Sequence, residues 1–213
     1  MSKVICVAGE SGSGKTTSCR NLDPAQTYYI DCDRKGLSWK GWRKQYNKEN
    51  KNYKATDEAD KVMAIIAGIS EKCPHIKYIV VDTINGIMIG DEMRRAREKG
   101  YDKWMDLATC VWGLVDSAYS YRDDLTIIFM AHTQTERTED GYVFTRIKTN
   151  GKKLDKSVLE SKFTTVLIAK VIGDRYVFET RANNSTCKTP YGAFDEDVID
   201  NDIVKVIEAL DEY

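Results

Sequence analysis

An α/β fold built on a mainly parallel sheet follows from three features of the sequence. Short apolar runs recur at residues 4–8, 27–32, 78–82 and 125–131, the pattern of strands buried on both faces of a sheet. Segments between them repeat apolar residues at helical spacing. A glycine-rich turn, Gly9-Glu10-Ser11-Gly12-Ser13-Gly14-Lys15-Thr16, links the first apolar run to the first helical segment. With 213 residues, 42% of them apolar and 31% charged, the chain is expected to form one domain over residues 1–213.

Val4-Ile5-Cys6-Val7-Ala8 is the first strand. The turn after it matches the phosphate-binding pattern G-x-x-x-x-G-K-[ST] in its expected place between strand and helix. Gly9, Gly12 and Gly14 open backbone angles closed to other residues and let the chain approach phosphate oxygens. Amides of Glu10, Ser11, Ser13 and Thr17 extend the donor array at a helix start. Lys15 would carry its charge to the β- and γ-phosphates of a nucleotide, and the Thr16 hydroxyl would hold magnesium. A short helix over 15–21 is expected to end at Asn21-Leu22-Asp23-Pro24.

The second strand, 27–32, runs out at Asp31 and Asp33. Residues 34–54 lack a clean period and are read as irregular or partly helical. Thr56 is expected to cap a helix whose stripe is Val62, Ile65, Ile66 and Ile69, ending at Cys73-Pro74. Tyr78-Ile79-Val80-Val81-Asp82 is a buried strand, followed by a charged connection interrupted by Gly86, Gly90 and Gly100. Trp104, Leu107, Ala108, Val111, Leu114, Val115 and Ala118 predict a helix over 102–122. Another strand, 125–131, ends at His132. Residues 133–151 are polar, with Asp140-Gly141 placed to close a hairpin. Residues 163–172 and 175–181 flank Gly173-Asp174 as an antiparallel hairpin. A mostly irregular 183–199 precedes a C-terminal helix carrying Ile203, Val204, Ile207 and Leu210.

Net charge is −1, unevenly spread. Residues 34–54 carry Arg34, Lys35, Lys40, Arg43, Lys44, Lys48, Lys51 and Lys54 against Glu49, whereas 195–213 is acidic, with Lys205 as its one cation. That asymmetry predicts an interaction surface. Scattered cysteines without a C-x-x-C pair, and only two histidines, argue against zinc and disulfide frameworks. No apolar run reaches membrane-spanning length, so no membrane association and a cytoplasmic location are expected.

A phosphate loop works with an aspartate at the end of an apolar strand, which orients magnesium; Asp82 fills that role. Hydrolysis also needs a group to orient water. Asp33 is the first choice, with Asp31 as the alternative. His132, at the carboxyl end of a parallel strand, faces the ligand crevice and is expected to sense the γ-phosphate.

The arrangement resembles the RecA-like ATPases, and among them small phage-encoded ATP-binding proteins related to phage RecA-like recombinases and single-strand annealing proteins. The resemblance covers most of residues 1–182. Ile30-Asp31-Cys32-Asp33 stands where the family carries a carboxylate, usually glutamate, and the shorter Asp33 implies slow turnover. His132, with Gln134 nearby, falls at the polar sensor position. In Phe178-Glu179-Thr180-Arg181, Arg181 matches a cation that reaches a neighbouring subunit's nucleotide; Glu179 stands where some relatives have lysine, and Lys152 and Lys153 are a second choice. The resemblance implies a three-layer fold with a C-terminal antiparallel hairpin, ATP and magnesium as ligands, and a homo-oligomer, ring or filament, with interfacial active sites. If the chain is phage-encoded, its cytoplasm is that of the bacterial host.

The leading functional expectation is single-stranded DNA handling in recombination, with replication or recombination proteins as further partners. DNA would meet 84–101 (Arg94, Arg95, Arg97, Lys99), 133–153 (Arg137, Arg146, Lys148, Lys152, Lys153), and the aromatics Trp39, Trp42, Tyr46 and Tyr53 interleaved with the cations of 34–54. A contact between the basic segment and the acidic tail of the next subunit is the competing reading of 34–54. Two other classes stay open: a nucleoside or nucleotide kinase with Arg94, Arg95 and Arg97 as a lid, and an ATP-dependent scaffold or loader with little hydrolysis.

Overall fold

The computed structural model describes residues 1–100, 102–137, 139–149 and 158–211. Lys152, Lys153 and Glu212 lie outside the described residues, as does the side chain of Trp104. Among the described residues, a nine-stranded sheet runs in the order β3-β2-β4-β5-β1-β7-β8-β9, with β6 paired to β5. The strands are β1 Lys3–Gly9, β2 Thr27–Asp31, β3 Tyr53–Ala55, β4 Tyr78–Asp82, β5 Thr126–Arg137, β6 Val143–Ile147, β7 Thr165–Ile172, β8 Arg175–Glu179 and β9 Val198–Asp200. Pairings from β3 through β7 are parallel, and β8, β9 and β6 add antiparallel partners. The expected mainly parallel sheet and the hairpin around Gly173-Asp174 are therefore both present.

Alternation along each strand divides the core into two layers. Val4, Cys6 and Ala8 of β1, with Ile79, Val81, Ile127 and Phe129, pack under α2 Ala59–Lys72, α3 Ile84–Arg94 and α4 Asp102–Ser117. Ile5 and Val7, with Val80, Ile128 and Met130, face the opposite layer: the 3-10 helix Thr16–Asn21, the segment around α1 Trp42–Gln45, and α5 Ile203–Ala209. Helices on both faces explain why β1, β4 and β5 are continuously apolar. Among the described residues, no helix is long and apolar enough to cross a membrane.

Several boundaries differ from expectation for local reasons. Residues 84–94 are a helix, not a connection: the Thr83 hydroxyl accepts from the Gly86 amide, and Ile84, Ile87 and Met88 are buried. Its glycines permit close approach. A Cβ on Gly86 would come within 2.6 Å of the Cys32 carbonyl oxygen and Asp33 Oδ1, and one on Gly90 would strike the Asp57 carboxylate. The second helix starts at Ala59 with the extended Glu58, not Thr56, at its N-cap, and Asp57 pairs with Arg34 and Arg94. The segment 34–54 ends in β3, a parallel edge strand beside β2. Asp140-Gly141 lies in the β5–β6 hairpin, with Gly141 at φ 86°. Residues 183–199 are less irregular than expected, since β9 begins at Val198 and Lys188 bridges to Val166.

Candidate functional site at the carboxyl edge of the sheet

Register brings the candidate residues to one edge. Asp31 pairs with Asp82 across β2 and β4, Asp82 with Met130 across β4 and β5, and Gly9 with His132 across β1 and β5. Parallel strands thus deliver the glycine turn, two carboxylates and the histidine to the same crevice, where open α/β sheets bind ligands. A cleft of about 430 Å³ opens there, lined by Ser11, Gly12, Gly14, Lys15, Thr16, Thr17, Lys35, Ser38, Asp82, His132 and Tyr176.

The loop has the backbone that its sequence requires. Gly12 and Gly14 adopt φ of 81° and 93°, angles that favour glycine. A Cβ on Gly9 would sit 2.7 Å from the Ala169 carbonyl oxygen, so the loop can close only on glycine there. Ser13 donates its amide to Glu10 O (3.2 Å), tightening the turn. Gly9, Glu10 and Ser13 line the outer side of the loop, facing β7, rather than the cleft.

Lys15 curls over this loop and donates to Gly9 O at 2.8 Å and Glu10 O at 2.7 Å. Its burial pushes the ammonium down to about 8; the Asp82 charge opposes that shift and nearby Lys35 adds to it. The ammonium is therefore held by two neutral carbonyls, a weak substitute for an anion.

Asp82 is nearly fully buried. Its Oδ2 accepts from Thr16 Oγ1 (2.7 Å) and Tyr29 OH (2.6 Å), while Oδ1 has no partner. Burial raises its carboxyl above the ordinary range, opposed by the two hydroxyl donors and by Lys35. A buried carboxylate oxygen without a donor, next to a threonine hydroxyl, fits a hard cation that prefers oxygen ligands. The Asp82–Thr83 peptide is cis.

The two other aspartates separate in role. Asp31 is buried, accepting at Oδ2 from the Gly36 amide and the Tyr53 hydroxyl, each at 2.7 Å, so it fastens the turn and β3. Asp33 accepts from Thr83 Oγ1 (3.0 Å) and pairs with Lys35 (2.5 Å), reaching the cleft through Lys35 rather than lining it. His132 is half-buried; its amide donates to Asn85 Oδ1 (2.7 Å) at the point where the β1–β5 pairing ends, and β5 does not stop there as expected but runs on to Arg137 by pairing with β6. Burial first, then the Lys15 charge, lowers its imidazole below the ordinary value, so the ring is neutral at pH 7. Gln134 turns to Glu136 (2.9 Å), away from the cleft lining.

Arg181 is not brought to this cleft. β8 runs antiparallel to β7, with Glu179 opposite Ile168, so the chain beyond β8 lies toward the amino ends of the parallel strands. There Arg181 pairs with Asp197 (2.7 Å) and is largely exposed. Its position leaves it facing outward, not onto Lys15 of its own chain.

One cleft residue and one buried residue behind it escape a reading by motif. Lys35 belongs by sequence to the basic segment, although it stands two residues after Asp33. Tyr29 reads as an apolar strand residue; the available signal is that a buried tyrosine hydroxyl needs a partner, here Asp82.

Residues expected to meet DNA are arranged less openly than their sequence implies. Tyr46 is buried and packs edge-to-face on Tyr29 and Trp39, and Trp42 packs on Tyr53. The aromatics of 34–54 thus belong to the core layer, and the cations Lys40, Arg43, Lys44, Lys48, Lys51 and Lys54 remain exposed. Arg94 and Arg95 are paired with Asp57, Asp91, Glu98 and Asp106.

Comparison with known proteins places these features in a family. The chain is 39% identical over 99 residues to adenylate kinase 2 of Plasmodium falciparum (isolate 3D7), covering 40% of this chain and 34% of that protein. The chain thus spans about a third of the length of the curated relative it matches. Among solved structures, a KaiC-like protein from the hyperthermophilic archaeon Pyrococcus horikoshii OT3 aligns at TM-score 0.45 and 12% identity, over 83% of this chain and 77% of that one. The AAA domain family matches residues 1–190, which include the phosphate loop, Asp82 and His132, and the chain belongs to that family.

Proposed function

We propose that the chain binds ATP with magnesium in the cleft at the carboxyl edge and hydrolyses it. The observation that carries this reading is the join of loop and carboxylate. Thr16 is held by one oxygen of Asp82, and the other oxygen is buried without a donor. Lys15 exchanges its two carbonyl acceptors for β- and γ-phosphate oxygens, and the loop amides take the remaining phosphate oxygens. Thr16 and Asp82 hold the magnesium ion, which when bound supplies positive charge against the triphosphate. Neutral His132 donates to the γ-phosphate. Asp33, released from Lys35, accepts a proton from the attacking water. Water oxygen bonds to the γ-phosphorus as the bond to the β–γ bridging oxygen breaks, giving ADP and phosphate. Phosphate release by the purified chain tests this, with Lys15→Ala and Asp82→Asn as comparisons. Release that both variants abolish supports it, and release that persists in Lys15→Ala removes it.

The cleft is open to solvent, and Arg181 projects from the opposite end of its own chain. In this reading Arg181 completes the cleft of a neighbouring copy in a ring or filament. The exposed cations of 34–54 track a phosphate backbone, and the substrate of the cycle is single-stranded DNA in recombination of a phage or prophage. Retention of a labelled single-stranded oligonucleotide on filters at low salt, falling with ionic strength, tests that step; no retention with or without ATP removes it.

The partial likeness to an adenylate kinase favours a second reading, phosphoryl transfer to a nucleotide. Against it, Arg94 and Arg95, two of the three candidate lid cations, are spent on carboxylates. Formation of ADP from ATP plus AMP, beyond the ADP made without AMP, would put the kinase first.

A further inference from the structure

Among the described residues, two lysines line the cleft at the carboxyl edge, Lys15 and Lys35. Hydrolysis as proposed gives Lys15 a place on the phosphates and leaves Lys35 only as the partner that Asp33 must lose. The turn that carries Lys35 is fixed on both sides of it. Arg34 adopts φ 56° and Gly36 φ 81°. A non-glycine residue at positive φ is strained and persists where its surroundings hold it, most often at functional sites. The Gly36 amide donates to buried Asp31 (2.7 Å), and a Cβ on Gly36 would come within 2.7 Å of the Trp42 ring. Arg34 turns away to pair with Asp57, so of these two adjacent cations only Lys35 lines the cleft.

Its side chain is 54% exposed and is tied to Asp33 (2.5 Å), so the tip can move without disturbing the core. Asp33 in turn accepts from Thr83, the residue after Asp82. Beyond the effect of burial, the Lys35 charge bears on Lys15, Asp82 and His132 alike. Lys35 therefore stands on the β2–β4 side of the cleft, with the carboxylates and the histidine, whereas Lys15 is held by the loop carbonyls of Gly9 and Glu10.

We infer that Lys35 is a catalytic residue of the proposed hydrolysis, its ammonium leaving Asp33 for the γ-phosphate of the ATP in its own chain's cleft. A terminal phosphate offers three acceptor oxygens and more negative charge than one carboxylate, so it takes the ammonium. The exchange does two things at once. It sets a cation, placed before reaction, against oxygens whose charge shifts during transfer. It also frees the Asp33 carboxylate to take the proton of the attacking water. Lys35 keeps its own proton throughout. Water oxygen bonds to the γ-phosphorus, its proton goes to Asp33, and the electron pair of the broken bond stays on ADP. A diphosphate lacks the group that draws Lys35 away, so Lys35 stays on Asp33 and the cleft tells ATP from ADP by one ammonium.

The inference rests on the proposed nucleotide binding, and ADP separates the two. Calorimetry gives the affinities of magnesium-ADP and of the non-hydrolysable β,γ-imido analogue of ATP for the wild type, Lys35→Met and Lys35→Arg; phosphate release from ATP is followed in parallel. Lys35→Met is expected to lose at least tenfold in affinity for the imido analogue, to keep its ADP affinity, and to release phosphate about 10²–10³-fold more slowly. Lys35→Arg, which keeps the charge, is expected to hold the imido analogue within a few-fold of the wild type. The loss in Lys35→Met should be the same at every protein concentration, because the ammonium acts within its own chain. Phosphate release as fast as or faster than wild type in Lys35→Met overturns the inference, since Lys35 would then only restrain Asp33. An equal loss for ADP and the imido analogue, an equal loss in Lys35→Arg and Lys35→Met, or a loss that vanishes on dilution also overturns it. Failure of both nucleotides to bind the folded wild type overturns the nucleotide reading beneath it.

Discussion

Raising the pH from 7 to 9 should weaken magnesium-ATP binding by about tenfold. The cause is Lys15, whose ammonium is pushed down to about 8 by burial in the nucleotide-free loop. A triphosphate beside it favours the charged form and returns it toward its free value of about 10.4. Above pH 8 the chain must therefore take up a proton to bind. With a free-state value of about 8, the protonated fraction falls from about nine-tenths at pH 7 to about one-tenth at pH 9, and the apparent dissociation constant rises by that ratio, or about 1.4 kcal/mol. His132 does not interfere, because its lowered value leaves it neutral throughout this range. Calorimetry in two buffers of different ionisation enthalpy measures both the affinity and the proton uptake, which should approach one per nucleotide near pH 9. Lys15→Met should bind more weakly at every pH and show no slope between 7 and 9. The same linkage makes the nucleotide-free fold gain stability as pH rises through about 8 toward the unfolded value, since the unfolded chain keeps this proton over that interval. Wild-type affinity that stays flat from pH 7 to 9, without proton uptake, would refute the reasoning: Lys15 would then be fully charged before the nucleotide arrives.

Three further outcomes follow from particular contacts. Asp33→Asn should lower the rate of phosphate release by about 10²–10⁴ while changing ATP affinity only a few-fold, as expected of a base that acts on water; an unchanged rate would pass the role to another group. Tyr29→Phe removes a buried donor to Asp82 and should cost about 1.5–3 kcal/mol in urea unfolding, with an unchanged midpoint showing that the bond is idle. Arg181→Ala should slow hydrolysis by about 10³-fold or more if it completes a neighbouring cleft, while the isolated chain binds ATP as before; unchanged turnover removes the interfacial role.

The fold was legible because burial on both faces leaves an uninterrupted apolar record in β1, β4 and β5. Gly86 and Gly90 misled because glycine marks two different needs, a break in a helix and a close approach by another part of the chain. Here Cys32, Asp33 and Asp57 press on them, which no local pattern records. The short strands β3 and β9 are edge additions whose side chains are only partly buried, so they lack an apolar signature. At the site, Lys15, Thr16 and Asp82 were readable, since their chemistry is tied to spacing and to a strand end. Tyr29 and Lys35 were not: Tyr29 matters through a hydrogen bond to Asp82, tens of residues away, and Lys35 through the cleft it lines. The aromatics of 34–54 show the opposite error, since interleaving with cations describes an exposed stacking surface and a buried layer equally well, and Tyr46 is buried.

The central claim is that the loop amides, Lys15 and the Thr16–Asp82 pair together hold a magnesium-bound triphosphate. Titrating magnesium-ATP into the folded chain at pH 7 and at several temperatures tests it most directly. One site per chain is predicted, weakened at least tenfold by Lys15→Ala and made insensitive to magnesium by Asp82→Asn. No heat at any temperature from well-folded protein, or affinity that neither substitution changes, would contradict it.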